Sequence, residues 1–249
     1  MEITHLVTVG CSWTYCQGLE NVKENGWPRH LADLLGVPVV NLALPGIGND
    51  AIHRRTYEYF FENLSYNSKP IFVIAWSQSW RREFWTKKYH PSKKTGYNLI
   101  ALSDPKGPKN PYETAIVDNW SEEDFYRRTI KYRLSMNSLF KAHNIPYIES
   151  LFTDIENLET PPVREKFKGA VSYLENSPNK CENFYDVVRS FPKLPCGHEG
   201  YESMPYLANY IHNYMKSLYG SLNPISGDYL TLRDFNKNDP SGVYMGDWE

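Results

Sequence analysis

Val7-Thr8-Val9-Gly10-Cys11-Ser12-Trp13-Thr14-Tyr15-Cys16-Gln17-Gly18 is an apolar run that breaks into a Gly-Cys-Ser turn. Ile3 to Val9 is β-branched and apolar enough for a buried strand, and a glycine followed by small polar residues delivers a side chain to the rim of a sheet. Ser12 is the residue so delivered. In an open α/β sheet, ligands bind in the crevice at the carboxyl ends of the strands, so a hydroxyl just after the first strand is a candidate chemical group. Small polar residues after strands are also routine turn formers and caps, and Ser12 taken alone reads that way too.

Beyond this turn, strands and helices alternate. Trp27 to Gly36 has Pro28 in its first turn, Leu31, Leu34 and Leu35 on one face and a terminal glycine, which predicts a short helix. Val37 to Leu42 reads as the second strand. It runs into Asn41-Leu42-Ala43-Leu44-Pro45-Gly46-Ile47-Gly48-Asn49-Asp50, a glycine turn opening a helix to about Leu64 with Asn49 or Asp50 as its cap. Gly46 and Gly48 can present backbone N–H groups to an anion, but the G-x-G-x-x-G spacing of a dinucleotide site is absent. Lys69 to Trp76 is the most apolar run and reads as a central third strand, followed by the polar and aromatic stretch Ser77 to Trp85.

Residues 86–118 lack a sustained period and read as a surface insertion. Ser121 caps a helix running to about His143, Ile145 to Leu151 reads as a fourth strand, and 152–194 reads as a second insertion with one or two short helices, one near Val163 to Leu174. Tyr201 to Tyr219 carries the spacing of a final amphipathic helix, and 220–249 reads as an arm packing on its own domain or on a partner. The expected architecture is a single α/β domain over 1–219: a flavodoxin-like three-layer sandwich with a parallel sheet, two insertions and a C-terminal arm.

Composition narrows the function. A formal net charge of −2 argues against a nucleic-acid binder. Nineteen Tyr and seven Trp exceed what a core needs and point to a recognition surface. No window has the apolar length of a membrane span, and the N-terminus lacks a signal-peptide layout, so the expectation is a cytoplasmic protein. Cys11, Cys16, Cys181 and Cys196 lack metal-site spacing and disulfide density, which predicts reduced thiols and neither metal nor cofactor.

Gly10-Cys11-Ser12-x-Thr14 after the first strand, Asn41-x-x-x-x-Gly46 after the second, and Gly197-His198 before the last helix together resemble the SGNH (GDSL-type) hydrolases, as ordered blocks across residues 3–219. Trp76-Ser77-x-x-x-Arg81-Arg82-Glu83, with the 41–49 block, looks like a divergent group met in bacteriophage genomes, which would make a virion location and a virion or oligomer partner for 220–249 possible readings. The resemblance implies Ser12 as nucleophile, His198 as its base, and an oxyanion site from the Ser12 and Gly46 N–H groups with a third-block donor, here Gln78 or Ser77. Three family positions differ. Pro195 stands where an aspartate usually precedes the catalytic histidine, leaving Asp154 or Asp186 as candidate orienters; Cys11 replaces the first-block aspartate; the third-block asparagine has no clear equivalent. If the family geometry holds, Cys11 and Cys196 approach one another, which raises a disulfide, although two unlinked thiols are the favoured reading.

Trp76, Trp80, Trp85 and Tyr89 with Arg81 form either a sugar-binding platform, with Trp76, Trp80 and Arg81 on substrate, or a small core beneath the first insertion. Two functions follow. One is a serine esterase working through an acyl-enzyme on a small ester or an O-acetylated glycan. The other is a catalytically impaired SGNH-like structural or carbohydrate-binding protein.

Overall fold

A computed structural model describes residues 1–63, 65, 67–79, 81–86, 96–101, 114, 121–151 and 165–231. Four parallel strands form the central sheet in the order β3-β2-β4-β7, with β2 His5–Val9, β3 Val39–Asn41, β4 Pro70–Trp76 and β7 Tyr147–Leu151. The expected first strand is divided at Thr4. Ahead of it, β1 (Glu2–Ile3) pairs with β8 (Asn223–Pro224), whereas β2 pairs with β3 and β4. The second and fourth strands begin at Val39 and Tyr147, two residues later than the apolar runs suggest, because Pro38 and Pro146 lack an N–H for the ladder.

Both faces of the sheet are covered, so its central strands are apolar throughout rather than alternating. Leu6, Ile71, Val73 and Ala75 face one layer with Ile148. There they meet α3 (Trp27–Leu35), α7 (Phe184–Val188) and α8 (Ser203–Tyr219). Val7, Val9, Phe72, Ile74 and Trp76 face the other layer, against α4 (Asn49–Asn63) and α5 (Glu122–Ala142). α3 stops where Gly36 takes φ 68° and returns its N–H to the helix, and Ser121 caps α5 by accepting from the Asp124 N–H. The flavodoxin-like three-layer arrangement is therefore present.

The insertions differ from their expected form. Arg81–Thr86 and Gly96–Ala101 are strands, β5 and β6, of an antiparallel hairpin. A two-stranded ribbon pairs across the hairpin rather than along one helical face, which a search for helical period does not detect. Residues 165–194 are built into the domain: α6 (Lys168–Glu175) buries Leu174, α7 buries Phe184 and Val188, and backbone bonds from Glu149 N–H to Asn179 O (2.8 Å) and from Cys181 N–H to Glu149 O (3.0 Å) extend the sheet beyond β7. The remaining early helical turns are α1 (Ser12–Tyr15) and α2 (Val22–Asn25), the latter within the stretch read as a loop. Residues 220–231 pack on their own domain, with Leu230 donating to Asn63 Oδ1 and accepting from Tyr59 Oη; 232–249 lie outside the described residues. Among the described residues, no helix is long and apolar enough to cross a membrane.

One buried charge network ties the second layer to the sheet. Glu149 of β7 accepts from Arg133 Nε (3.1 Å), Arg133 Nη2 (3.0 Å) and the Trp76 indole N–H (2.6 Å), while Arg133 Nη1 donates to Glu175 (3.1 Å). Arg133 and Glu149 side chains are each 3% exposed. Removing one partner leaves a buried charge without compensation. Arg133→Met is accordingly expected to lower unfolding free energy by about 3–5 kcal/mol in urea titration, and the double change with Glu149→Met to recover much of that loss.

Candidate functional site

Because β2, β3 and β4 are parallel and in register, Thr8 lies beside Asn41 and Val9 beside Ile74. The segments that follow them leave the sheet at one edge. Ser12 opens the single helical turn α1, and its N–H, first in that turn, has no intrahelical acceptor. Ser12 is buried, and no described residue hydrogen-bonds its hydroxyl. Gly10 lets the turn close down on β4: a Cβ there would fall 2.1 Å from Thr14 Oγ1 and 3.1 Å from the Ala75 methyl.

Asn41 holds the turn from the neighbouring strand. Its Nδ2 donates to Thr14 O (3.0 Å), and its Oδ1 accepts from Thr8 Oγ1 (3.0 Å) and from the Ala43 N–H (3.1 Å). It also joins the Ser12 turn to the segment that carries Gly46. The Gly46 N–H is free of any acceptor among the described residues, in keeping with an anion-facing donor. Gly48 plays a packing part instead, described below. Asn49, read from sequence as a helix cap, accepts from the Ser77 N–H (2.7 Å) and donates to Thr129 (3.1 Å), so it positions the chain after β4; Asp50 accepts from the Ala51 and Glu83 N–H groups.

After β4, Gln78 reaches the same edge half-buried, with its Oε1 buried and unpartnered. Arg81 follows, its Nη1 donating to Ser77 Oγ (3.1 Å). Trp76 does not belong to this surface. It is fully buried with its indole N–H committed to Glu149, because it lies inside β4 and points into the helical layer; its place on a substrate platform is corrected. Trp80 and Tyr89 lie outside the described residues, and of Trp85 only the backbone of β5 is described.

His198 comes from the far end of the sequence. The loop before α8 folds on itself through Leu194 N–H to His198 O (2.7 Å) and Gly197 N–H to Leu194 O (2.8 Å), which brings the imidazole to 5.6 Å, centroid to centroid, from the indole of Trp13. The histidine therefore stands against the residue next to Ser12. No hydrogen bond joins Ser12 Oγ to the ring. His198 Nδ1 is buried without a well-directed partner, which leaves Nε2 as the nitrogen available to a substrate. Burial lowers its basicity below the ordinary histidine value, the nearby Cys196 carbonyl acts in the opposite sense, and the positive charge of Arg81 lowers it further.

Among the described residues, no aspartate pairs with this ring. Asp186 is exposed on α7 and pairs with Arg189 (3.6 Å), and Asp154 lies outside the described residues. All four cysteines are free, with Cys11 buried and Cys196 exposed, its sulfur 3.9 Å from Gln17 O. Among the described residues, no group of three or more His, Cys, Asp or Glu side chains could hold a metal ion.

Trp13, Tyr185 and Lys193 are the site residues that sequence reasoning missed. Trp13 meets Tyr185 edge-on at 5.6 Å, and Lys193 Nζ lies 4.5 Å from the Tyr185 centroid and 5.7 Å from that of Trp13. Position beside Ser12 was the one available signal for Trp13; nothing local marks the other two. Beneath them Glu199 is buried with both carboxylate oxygens unbonded. Its nearest cation is Lys193 at 3.9 Å, and it borders a cavity of about 10 Å³ walled by Trp13, Trp27 and Phe184, room for a single water. Burial raises the Glu199 carboxyl above its ordinary value, and Lys193 offsets this in part. A raised carboxyl withdraws stability as pH climbs through its folded value. Glu199→Gln is thus expected to raise the melting temperature at pH 8 while changing it little at pH 4, as followed by circular dichroism.

No protein-family model matches the sequence, and comparison with curated proteins finds no match. Solved structures do match. TesA aligns at a TM-score of 0.50 with 14% identity over 86% of this chain and 99% of its own. The psychrotrophic esterase EstA from Pseudoalteromonas sp. aligns at 0.50 with 10% identity over 88% and 100%. A lipolytic protein of the G-D-S-L family from Desulfitobacterium hafniense aligns at 0.47 with 15% identity over 85% and 99%. With its parallel sheet, its serine turn after β2 and its histidine loop before the last helix, the chain has the fold of the SGNH (GDSL-type) hydrolases.

Proposed function

We propose that this protein is a serine ester hydrolase with Ser12 as nucleophile and His198 as general base. The observation that carries this reading is the convergence of His198 on Trp13, beside Ser12, at the edge where the Gly46 N–H and Gln78 also emerge. A serine hydroxyl attacks a carbonyl poorly unless a base takes its proton as the bond forms. His198 Nε2 accepts that proton, and the Ser12 oxygen adds to the ester carbonyl. The negative charge that develops on the carbonyl oxygen is met by the Ser12 and Gly46 N–H groups and the Gln78 amide. Collapse expels the alcohol, which takes the proton from His198, and leaves an acyl-serine. Water, activated by the same imidazole, then releases the acid.

The aromatic faces of Trp13 and Tyr185 beside the nucleophile suit the apolar face of a sugar ring, and we assign O-acylated carbohydrate as the substrate class. Trp13 and Tyr185 take the place that Trp76 held in the platform expected from sequence, while Trp80 lies outside the described residues. A second reading, a catalytically impaired SGNH-like binding or structural protein, is favoured by a single observation: among the described residues, no carboxylate pairs with His198 Nδ1. Loss of that partner costs about 10⁴ in kcat in a triad hydrolase.

Hydrolysis of p-nitrophenyl acetate by the native protein is expected to fall at least about 10³-fold in Ser12→Ala and in His198→Ala. With the His198 value lowered, the base is neutral at lower pH than an ordinary histidine, and the acid limb of kcat/KM is expected below pH 6.5. Equal rates in folded native and Ser12→Ala protein would remove the esterase reading in favour of the second.

A further inference from the structure

Among the described residues, Arg81 is a cation without a counter-ion. Its described polar contact is neutral, Nη1 to Ser77 Oγ (3.1 Å), and its Nε is buried with no acceptor. The neighbouring carboxylates are committed elsewhere. Glu83 forms a two-pronged pair with Arg54 (2.9 and 2.8 Å), and Asp50 accepts the Glu83 and Ala51 N–H groups. Glu199 lies beneath Trp13 with Lys193 as its nearest cation. A buried guanidinium N–H without an acceptor is costly, and natural structures rarely keep one without a use.

The backbone that projects this side chain is held tightly. A Cβ on Gly48 would stand 2.3 Å from Arg81 O and 2.9 Å from Arg81 Cβ, so only glycine in the second-block turn lets the start of β5 sit down on it. Gly48 and the Arg81 backbone thus share one contact. The Arg81 charge also acts on His198, where it opposes protonation of the ring. That charge weakens His198 as a base until an anion neutralises the arginine.

We infer that Arg81 is an anion receptor and that the favoured substrates are esters carrying a carboxylate next to the scissile bond, such as acylated acidic sugars. This deepens the esterase reading and rests on it. Planar guanidinium and carboxylate groups match in two-pronged hydrogen bonds, and here the substrate carboxylate supplies the acceptor that Nε lacks. Binding the anion also relieves the charge acting on His198, so the correct substrate strengthens its own base.

The test compares kcat/KM for matched esters differing in charge: 4-acetoxybenzoate against 4-acetoxybenzamide, with the charge on the alcohol, and 4-nitrophenyl hydrogen adipate against 4-nitrophenyl hexanoate, with the charge on the acyl group. The charged-to-neutral ratio of the native protein is expected to drop about tenfold or more in Arg81→Gln for one pair, and by less in Arg81→Lys, which keeps the charge and loses the fork. The responding pair identifies the side of the ester that bears the anion. Ratios unchanged by Arg81→Gln in both pairs overturn the inference, even if Ser12→Ala shows that a serine esterase is present. If no ester is cleaved, the His198 imidazole is titrated by NMR with 4-hydroxybenzoate and with 4-hydroxybenzamide. A rise in its midpoint caused by the benzoate alone, and lost in Arg81→Gln, supports the receptor without catalysis; no difference between the two compounds overturns it.

Discussion

The parallel register at β2 is the constraint on which the site depends. Thr8 faces Asn41 on one side and Val73 on the other, so three strands end together and their following loops leave the sheet at one edge. The segments carrying Ser12, Gly46 and Gln78 leave the sheet at that edge. A parallel ladder needs covered faces, and the two apolar layers supply them, one with α3 and α8 and the other with α4 and α5. Since successive side chains of β2 and β4 enter opposite cores, slipping one strand by a single residue would exchange the cores and separate the loops.

Polar contacts convert this shared edge into a defined one. Asn41 spans from β3 to the Ser12 turn, and Asn49 spans from the second loop to the chain after β4. Each asparagine uses both ends of its amide, so each satisfies buried backbone groups of a neighbouring loop that would otherwise lack partners. The Glu149 network does the same on the helical side, with Trp76 as the member that links it to β4. A residue that would suit a sugar platform by type is thus a structural donor by position.

Three influences meet at His198. Burial and the charge of Arg81 oppose its protonation, and the Cys196 carbonyl favours it. Glu199, adjacent in sequence, is turned beneath Trp13 toward Lys193 and the hydrophobic layer. Burial rather than the net charge of −2 thus sets the leading influence on this histidine.

The sequence by itself determined the order and type of the principal elements, because that information is local: the apolar runs of β2 and β4, Gly36 ending α3, Ser121 capping α5 and the amphipathic spacing of α8 each act within a few residues. The Ser12 turn and the histidine loop were legible on the same basis, as small residues after a strand and before a helix. Only the tertiary structure decided which side chains share a space. It buried Trp76, brought Trp13 against His198 across 185 positions of chain, gathered Tyr185 and Lys193 to them, and left Arg81 without an anion among the described residues. The physical reason is that periodicity and turn chemistry are set by neighbours in sequence, whereas burial, pairing and the field at a base are set by neighbours in space.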